Sequence, residues 1–560
     1  MLRSFLTGVD ARRGPRLALW GLVLAAGAYL RLWEMGMQIV IDDEWHAIDK
    51  LIESGYLGIL LSFGHADHCI PLTLLYKLIA DTIGLTEWTL RLPELAAGLA
   101  SVLVLPWLFR PWTRSPERWI FAALLAVSPV LIYYSRESRP YAFIALLEPM
   151  ALVALFRWWM EGSRQWGRAF FACSVLSAWL QPVSLAFTGA ALLWAGLESL
   201  MQAWSGRGWR GLERVLLLGS LTVLACALLL LPPLWLDFKS MAWRTGIHNV
   251  RPQTLLVAWD LAAGTAYAPV TAALLGLTVF GGWRLWRRSP KLMRYLAFVT
   301  SFAALPIILS HAIWIFHGGT FLRYVLPALP LILVCAAIGL ASLVGNLAGV
   351  VGERRLATAR IATPVLAGVV LYLAGPLPAV YSGINQFTSH ASFQFDYDPP
   401  RNPYVQVMSR IQVPDFYREM AGRAGSGWQV VESPWRLESH FNPLYIYQRV
   451  HQLPLRVGFM DGLCAQGQYG EYPRDARGLD FHWFVHLSDL LKNPPARTYL
   501  VMHRVPALYG MRELPSMEPC IDAFRQRYGR PWRESPRAVV YRFGARGESQ
   551  SGPATPAGGG

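Results

Sequence analysis

Apolar positions gather into long runs through the first two thirds of the chain, and polar positions are confined to the gaps between them. Eleven runs come close to the length needed for a hydrocarbon core of roughly 30 Å. They cover 17–32, 92–108, 119–134, 141–156, 169–180, 183–197, 215–236, 261–283, 295–314, 324–344 and 361–380. The fifth and sixth are short and separated only by Gln181-Pro182, so they read as a tight hairpin or as one broken span. The span centres read as nearly free of charge. From Ser382 the pattern changes: Pro, Asp, Arg and His increase and no long apolar run remains. Helical spacing at 414–424, 480–492 and 515–528 alternates with short apolar runs at 428–431, 498–502 and 538–543. The expected fold is an α-helical multi-span membrane protein of about eleven transmembrane helices with a C-terminal external α/β domain. The expected division is a membrane-embedded domain at 1–381, an α/β domain at 382–545 and a flexible tail at 546–560.

Composition supports this class. Hydrophobic residues make up 54% of the chain and charged ones 16%, against about 25% charged in soluble proteins. Disorder and small disulfide scaffolds are excluded. A net charge of +15 would suggest a nucleic-acid partner if it were clustered, but it follows the loops. With a cytoplasmic N-terminus, the inside loops hold 21 Lys or Arg in 82 positions and the outside stretches 9 in 100, as the positive-inside rule requires. The basic excess therefore reflects topology; lipid is the expected partner and nucleic acid is not. The first run is read as an uncleaved span. Arg12, Arg13, Arg16 and the small residues Ala26-Gly27-Ala28 also fit a signal peptide, and either reading leaves the next loop external. Cys464 and Cys520 share the external domain and are candidates for a disulfide. No nucleotide-binding loop, dinucleotide fingerprint or paired-cysteine zinc pattern is present.

Charged groups near the outer ends of the spans carry the candidate chemistry, because charge beside lipid is costly without a partner or a function. The long loop after the first run contains Asp42-Asp43-Glu44-Trp45-His46, then His65-Ala66-Asp67-His68. Lys77 follows in an amphipathic stretch suited to the membrane surface. Arg136 and Arg139 end the third run, and Arg323 stands at the start of the tenth. Arg244 and Arg251, in the loop 237–260, read as solvated or lipid-facing. Carboxylates from one loop and arginines from two others thus meet on one face, a set suited to a leaving group that is a lipid phosphate.

These residues resemble the GT-C superfamily of membrane glycosyltransferases, in particular the branch with protein O-mannosyltransferases and lipid A aminoarabinose transferases. The acidic pair after the first span is met by Asp43-Glu44, and the His/Pro-Leu element by His68-Cys69-Ile70-Pro71-Leu72. Arg91-Leu92-Pro93 enters the second span; Ser135, Arg136, Arg139, Pro140 and Tyr141 end the third; Arg323, Tyr324 and Pro327 open a late one. The chain departs from the family in carrying Cys69-Ile70 where Pro-Pro often follows the His. The resemblance covers about 15–345 and the general layout.

The resemblance implies an inverting glycosyltransferase that moves a sugar from a polyprenyl-phosphate donor to a hydroxyl on a lipid, glycan or protein acceptor. The implied place is the outer face of a bacterial inner membrane. Asp43, with Glu44, would act on the acceptor proton; Arg139 and Arg323, helped by Lys77 or Arg136, would bind the donor phosphate. His65, Asp67 and His68, with Glu44, form a candidate set for a divalent metal ion; no other cofactor is implied. Plainer readings stand beside these. The acidic pair also fits a helix cap, the arginines fit snorkelling, and the histidines fit loop hydrogen bonding. A transporter or flippase of a lipid-linked sugar would need the same arginines and no base.

Overall fold

The computed structural model describes residues 14–40, 42–64, 68–242, 244–346, 353–387, 411–435, 443–460, 478–504 and 516–544. His65, Asp67, Cys464 and the tail 546–560 lie outside the described residues. Among those described, eight helices are long and apolar enough to cross a membrane: Leu17–Met37, Glu87–Leu108, Tyr141–Glu161, Pro182–Arg207, Arg210–Leu236, Ala268–Arg288, Pro290–Leu309 and Ala328–Asn346. Apolar side chains such as Leu217, Leu224, Leu228 and Trp235 remain exposed along them, as expected where lipid is the solvent.

The remaining three expected runs are interrupted or short, for local reasons. Run 119–134 breaks at Ser128-Pro129 into helices Ser115–Val127 and Pro129–Tyr134, because proline has no N–H to continue the ladder. Run 169–180 lies in the helix Arg164–Leu180, 17 residues long. Run 361–380 is split between helices Glu353–Ala374 and Leu377–Val380. Run 261–283 starts too early: the helix Pro252–Ala263 stops at Gly264 (φ 80°) and a new one begins at Ala268. Two helices are not free of charge either. Glu94 and Glu148 are fully buried within Glu87–Leu108 and Tyr141–Glu161, which corrects the expectation of nearly charge-free centres.

Helices Ala268–Arg288 and Ala328–Asn346 pack closest at Gly281 and Gly339, where a Cβ would overlap the facing backbone. Small residues at a helix–helix contact permit this approach and the dispersion energy it brings.

The C-terminal part is a six-stranded sheet of order β3-β2-β1-β4-β6-β5. Its strands are β1 Gln429–Ser433, β2 Leu455–Phe459, β3 Phe484–His486, β4 Thr498–His503, β5 Arg533–Glu534 and β6 Ala538–Phe543. The first four run parallel, and β6 is antiparallel to both β4 and β5. One face is covered by helices Leu487–Lys492 and Glu518–Tyr528 through Leu500, Met502, Ile521 and Phe524. The expected helix at 480–492 is shorter than its pattern, since Phe484–His486 pairs with β2 instead. Cys520 is disulfide-bonded.

The opposite face shares one core with the loop after the first span. Trp45, Ile48, Leu72 and Tyr76 pack with Tyr417, Val457, Phe484 and Tyr499. Polar contacts fix this junction at the N-terminal ends of β2 and β3. Trp483 Nε1 donates to Gly36 O at 2.8 Å and Trp483 N to Glu87 Oε1 at 3.2 Å. Gln386 donates to Met37 O at 3.0 Å and accepts from the backbone N of Leu455. That end of the sheet therefore abuts the ends of the first two spans.

Candidate active site

The segment after the first span is drawn onto the second by Arg91, which donates to Gln38 O at 2.8 Å and Ile39 O at 3.2 Å. Its helix begins with a reciprocal cap, Thr86 and Thr89 each bonding the other's backbone N–H. The chain then makes a tight turn at Asp42–Glu44 and enters the helix Trp45–Glu53. In this turn Asp43 and Glu44 reach different partners.

Glu44 is 2% exposed and Arg91 0%. The guanidinium grips the carboxylate with both prongs, Nε to Oε1 at 2.9 Å and Nη2 to Oε2 at 2.6 Å. Ser138 adds its backbone N at 3.0 Å and its hydroxyl at 2.9 Å, both to Oε1. The carboxylate thus clamps segment 135–140 against the first loop. From the other side, Arg31 Nε donates to Ser135 Oγ at 3.1 Å and its Nη1 to Ala126 O at 2.7 Å. A Cβ on Gly98 would overlap Ser135, so glycine permits the close approach of this segment to the second span.

Asp43 turns to Arg323, whose Nη1 donates to Oδ2 at 2.5 Å across 280 residues. His46 Nε2 is 3.6 Å from Oδ1. Burial alone would raise the Asp43 carboxyl; the Arg323 guanidinium, the nearby His46 imidazole and the charge of Arg139 outweigh it and hold it well below the usual carboxylate range. Arg323 projects from the short helix Gly318–Val325, over the ring of Tyr141 at 5.8 Å. Gly318 fits that helix against Pro252–Ala263, where a Cβ would stand 2.5 Å from Val257 Cγ1.

Arg244 joins this cluster although its sequence context reads as solvated or lipid-facing. Ile313 N donates to its carbonyl at 2.7 Å, Gly246 N to Ser310 O at 3.1 Å and Ile247 N to His311 O at 2.9 Å, which pins the loop beside the site. Burial and the neighbouring Arg139 lower the Arg244 guanidinium to about 10. The same loop is tied to the first one by Asp237, which accepts from Phe63 N and Gly64 N, each at 3.0 Å.

His68 stands against Phe63, ring centroids 5.2 Å apart. Burial, then Arg244, Arg139, Lys50 and His46, push its imidazole down to about 3. Such a ring is neutral, as a metal ligand must be, but the cations around it oppose a divalent ion. Among the described residues no three His, Cys, Asp or Glu side chains converge as a metal site.

Two further candidates stand elsewhere. Lys77 pairs with Asp81 at 3.1 Å, and Tyr56 donates to the same carboxylate at 2.9 Å. Arg136 is buried toward the first span, donating to Gln38 Oε1 at 3.3 Å and Leu30 O at 3.4 Å. The arrangement around Asp43 is thus one ionised carboxylate faced by Arg139, Arg244 and Arg323, with Lys50 and a neutral His68 alongside. Chemically it can accept a proton and bind an anion of more than one charge.

No family model matches the chain, and no curated protein matches it. Solved structures similar to it include two of one protein. One is ArnT from Cupriavidus metallidurans bound to undecaprenyl phosphate, with 13% identity, a TM-score of 0.49, and coverage of 94% of this chain and 98% of that one. The other is the same protein in the apo state, with 13% identity, a TM-score of 0.47, and coverage of 95% and 98%.

Proposed function

We propose that the protein is an inverting glycosyltransferase that moves a sugar from a polyprenyl-phosphate donor to a hydroxyl acceptor. On this reading the reaction takes place on the outer face of a bacterial inner membrane, with the N-terminus cytoplasmic. The observation that carries the reading is the ion pair of Asp43 with Arg323 at 2.5 Å, with Arg139 and Arg244 acting on the same carboxylate. A transporter needs the cations; only bond-breaking needs the base.

The steps follow from the charges. The acceptor hydroxyl attacks the anomeric carbon from the side opposite the phosphate while its proton passes to Asp43. The anomeric C–O bond breaks, both electrons leave with the phosphate oxygen, and the configuration inverts. A carboxylate is a weak base for a free hydroxyl but suffices where proton loss accompanies bond formation. Arg139, Arg244 and Arg323 stabilise the charge that develops on the departing phosphate, and fixed donors of this kind each contribute about 3–4 kcal/mol. Arg323 links the two halves of the reaction. With no donor present it neutralises Asp43; an entering phosphate competes for the same guanidinium, and burial then raises the basicity of the released carboxylate. Glu44, held by Arg91 and Ser138, positions the turn and touches no reactant.

A flippase of the same lipid-linked sugar is the second reading, and one observation favours it. Glu148 is fully buried in mid-helix and accepts from Thr188 Oγ1 at 3.1 Å, and intramembrane carboxylates often mark transport paths. Sugar transfer from polyprenyl-phosphate donors in proteoliposomes separates the two. Transfer by the wild type and its loss in Asp43→Asn, with donor binding kept, supports the transferase. Donor binding by both with transfer by neither, over a broad acceptor panel, supports the flippase.

A further inference from the structure

The sheet carries a cationic surface that the proposed chemistry does not use. Trp428 precedes β1, and two guanidinium groups lie over its ring, Arg423 at 5.4 Å and Arg542 at 5.1 Å. Tyr499 packs on Trp428 at 4.8 Å and Trp532 on Tyr499 at 5.3 Å, while Arg533 covers Trp532 at 5.0 Å. Arg497 stands beside them, its Nη1 donating to Ser426 O at 3.3 Å. One carboxylate of this group is placed by an ion pair, Glu419 with Arg533 at 2.9 Å. Among the described residues these are four arginines and one carboxylate, on a floor of aromatic rings that holds the guanidinium planes in place.

Strand direction decides what this surface faces. The parallel register sets Val430 level with Leu455 and Tyr499, near the end of the sheet where β1, β2 and β4 begin, and the antiparallel β6 brings Arg542 opposite Tyr499. At that end Trp483 bonds Gly36 and Glu87, and Gln386 joins Met37 to Leu455. These contacts lie where the first span finishes and the second begins. The side of the sheet formed by β2 and β3 is therefore seated on the span ends, and β1, β4 and β6 continue the same sheet beside it. Exposed Leu57, Leu78 and Ile83 between the first two spans, with Trp88 at the start of the second, fit the interfacial layer of a bilayer, where aromatic and aliphatic side chains gather.

We propose that Arg423, Arg497 and Arg542 form a binding surface for the phosphates of anionic lipid headgroups, holding this half of the sheet down on the bilayer. Arginine suits the role because its planar fork meets phosphate oxygens in pairs. Each basic residue near an anionic surface is worth roughly a fivefold preference, and the attraction fades within a Debye length.

The test uses the full-length protein in nanodiscs and follows amide hydrogen exchange at 422–428 and 496–500. Three media are compared: phosphatidylcholine alone, phosphatidylcholine with phosphatidylglycerol, and phosphatidylcholine with inorganic phosphate in solution. The expected result is exchange slowed at least about fivefold by phosphatidylglycerol, an effect abolished in about 0.5 M salt. The triple variant Arg423→Gln, Arg497→Gln, Arg542→Gln should lose this response while exchange in β1 and β4 stays at the wild-type rate in phosphatidylcholine, which shows that the sheet is intact. Equal exchange in the two lipid media overturns the proposal, as does a triple variant that responds like the wild type. Protection by inorganic phosphate alone, equal to that by the lipid, overturns the membrane-surface role.

Discussion

Neighbouring carboxylates with opposite fates offer the sharpest test. Glu44→Gln keeps an acceptor for Ser138 but removes the charge facing Arg91. The guanidinium, still held by Gln38 O and Ile39 O, would be left buried and uncompensated. Breaking one side of a buried pair costs about 3–5 kcal/mol, and no discount for solvent applies at 2% and 0% exposure. The lower figure alone lowers the folded-to-unfolded ratio by about 150-fold. Asp43→Asn behaves differently. Its pair with Arg323 is about a fifth exposed on both sides, so the stability loss is about 1 kcal/mol, whereas on the proposed mechanism the loss of a general base costs about 10²–10⁴ in rate. The assay is denaturant unfolding in detergent, followed by circular dichroism, paired with transfer rates per folded molecule. Glu44→Gln should be unstable and active per folded molecule; Asp43→Asn should be stable and inactive. Adding Arg91→Met to Glu44→Gln should restore most of the lost stability. A stable Glu44→Gln protein that loses transfer 100-fold would refute the division of roles.

Further outcomes follow from the same geometry. Asp43 is held below its ordinary value, so its stabilising charge is fully present above about pH 4 and is lost as pH falls through the depressed value. In Arg323→Gln burial is no longer opposed by this partner. The acid limb of the transfer-rate profile should therefore move to higher pH, with kcat lowered about 10²-fold; an unmoved limb would contradict the pairing. His68 is depressed to about 3, so between its unfolded value near 6.5 and that point only the unfolded chain binds the proton, and stability falls as pH drops. His68→Phe should lose less stability than the wild type between pH 7.5 and 5 in thermal melts. Gly318→Val crowds Val257 and Ala258; overpacking of about 1–3 kcal/mol should shift Arg323 and weaken donor binding, and a donor Kd equal to the wild type's would show that this contact does not position the site.

Much of the candidate site is legible in the chain because burial beside lipid filters charge. Arg139, Arg323 and Asp43 stand out as the polar groups left at span ends, and the shift in texture at Ser382 separates the helical part from the strands. Other features depend on distant packing. Arg244 looks like an ordinary loop arginine until backbone bonds to Ser310 and His311 bring it beside Asp43. Lys77 and Arg136 carry the right charge but are taken by Asp81 and Gln38.

Apolar run length and loop charge are local quantities, and they suffice for a multi-span helical protein with a strand-bearing tail and a polar cluster at one set of span ends. Pairing is not local. Whether Asp43 or Glu44 faces the arginines depends on a tight turn that sends one carboxylate to Arg91, 47 residues away, and the other to Arg323, 280 residues away. Only the packed bundle decided that, because charges sharing a run of sequence are sorted by which helix ends meet in space.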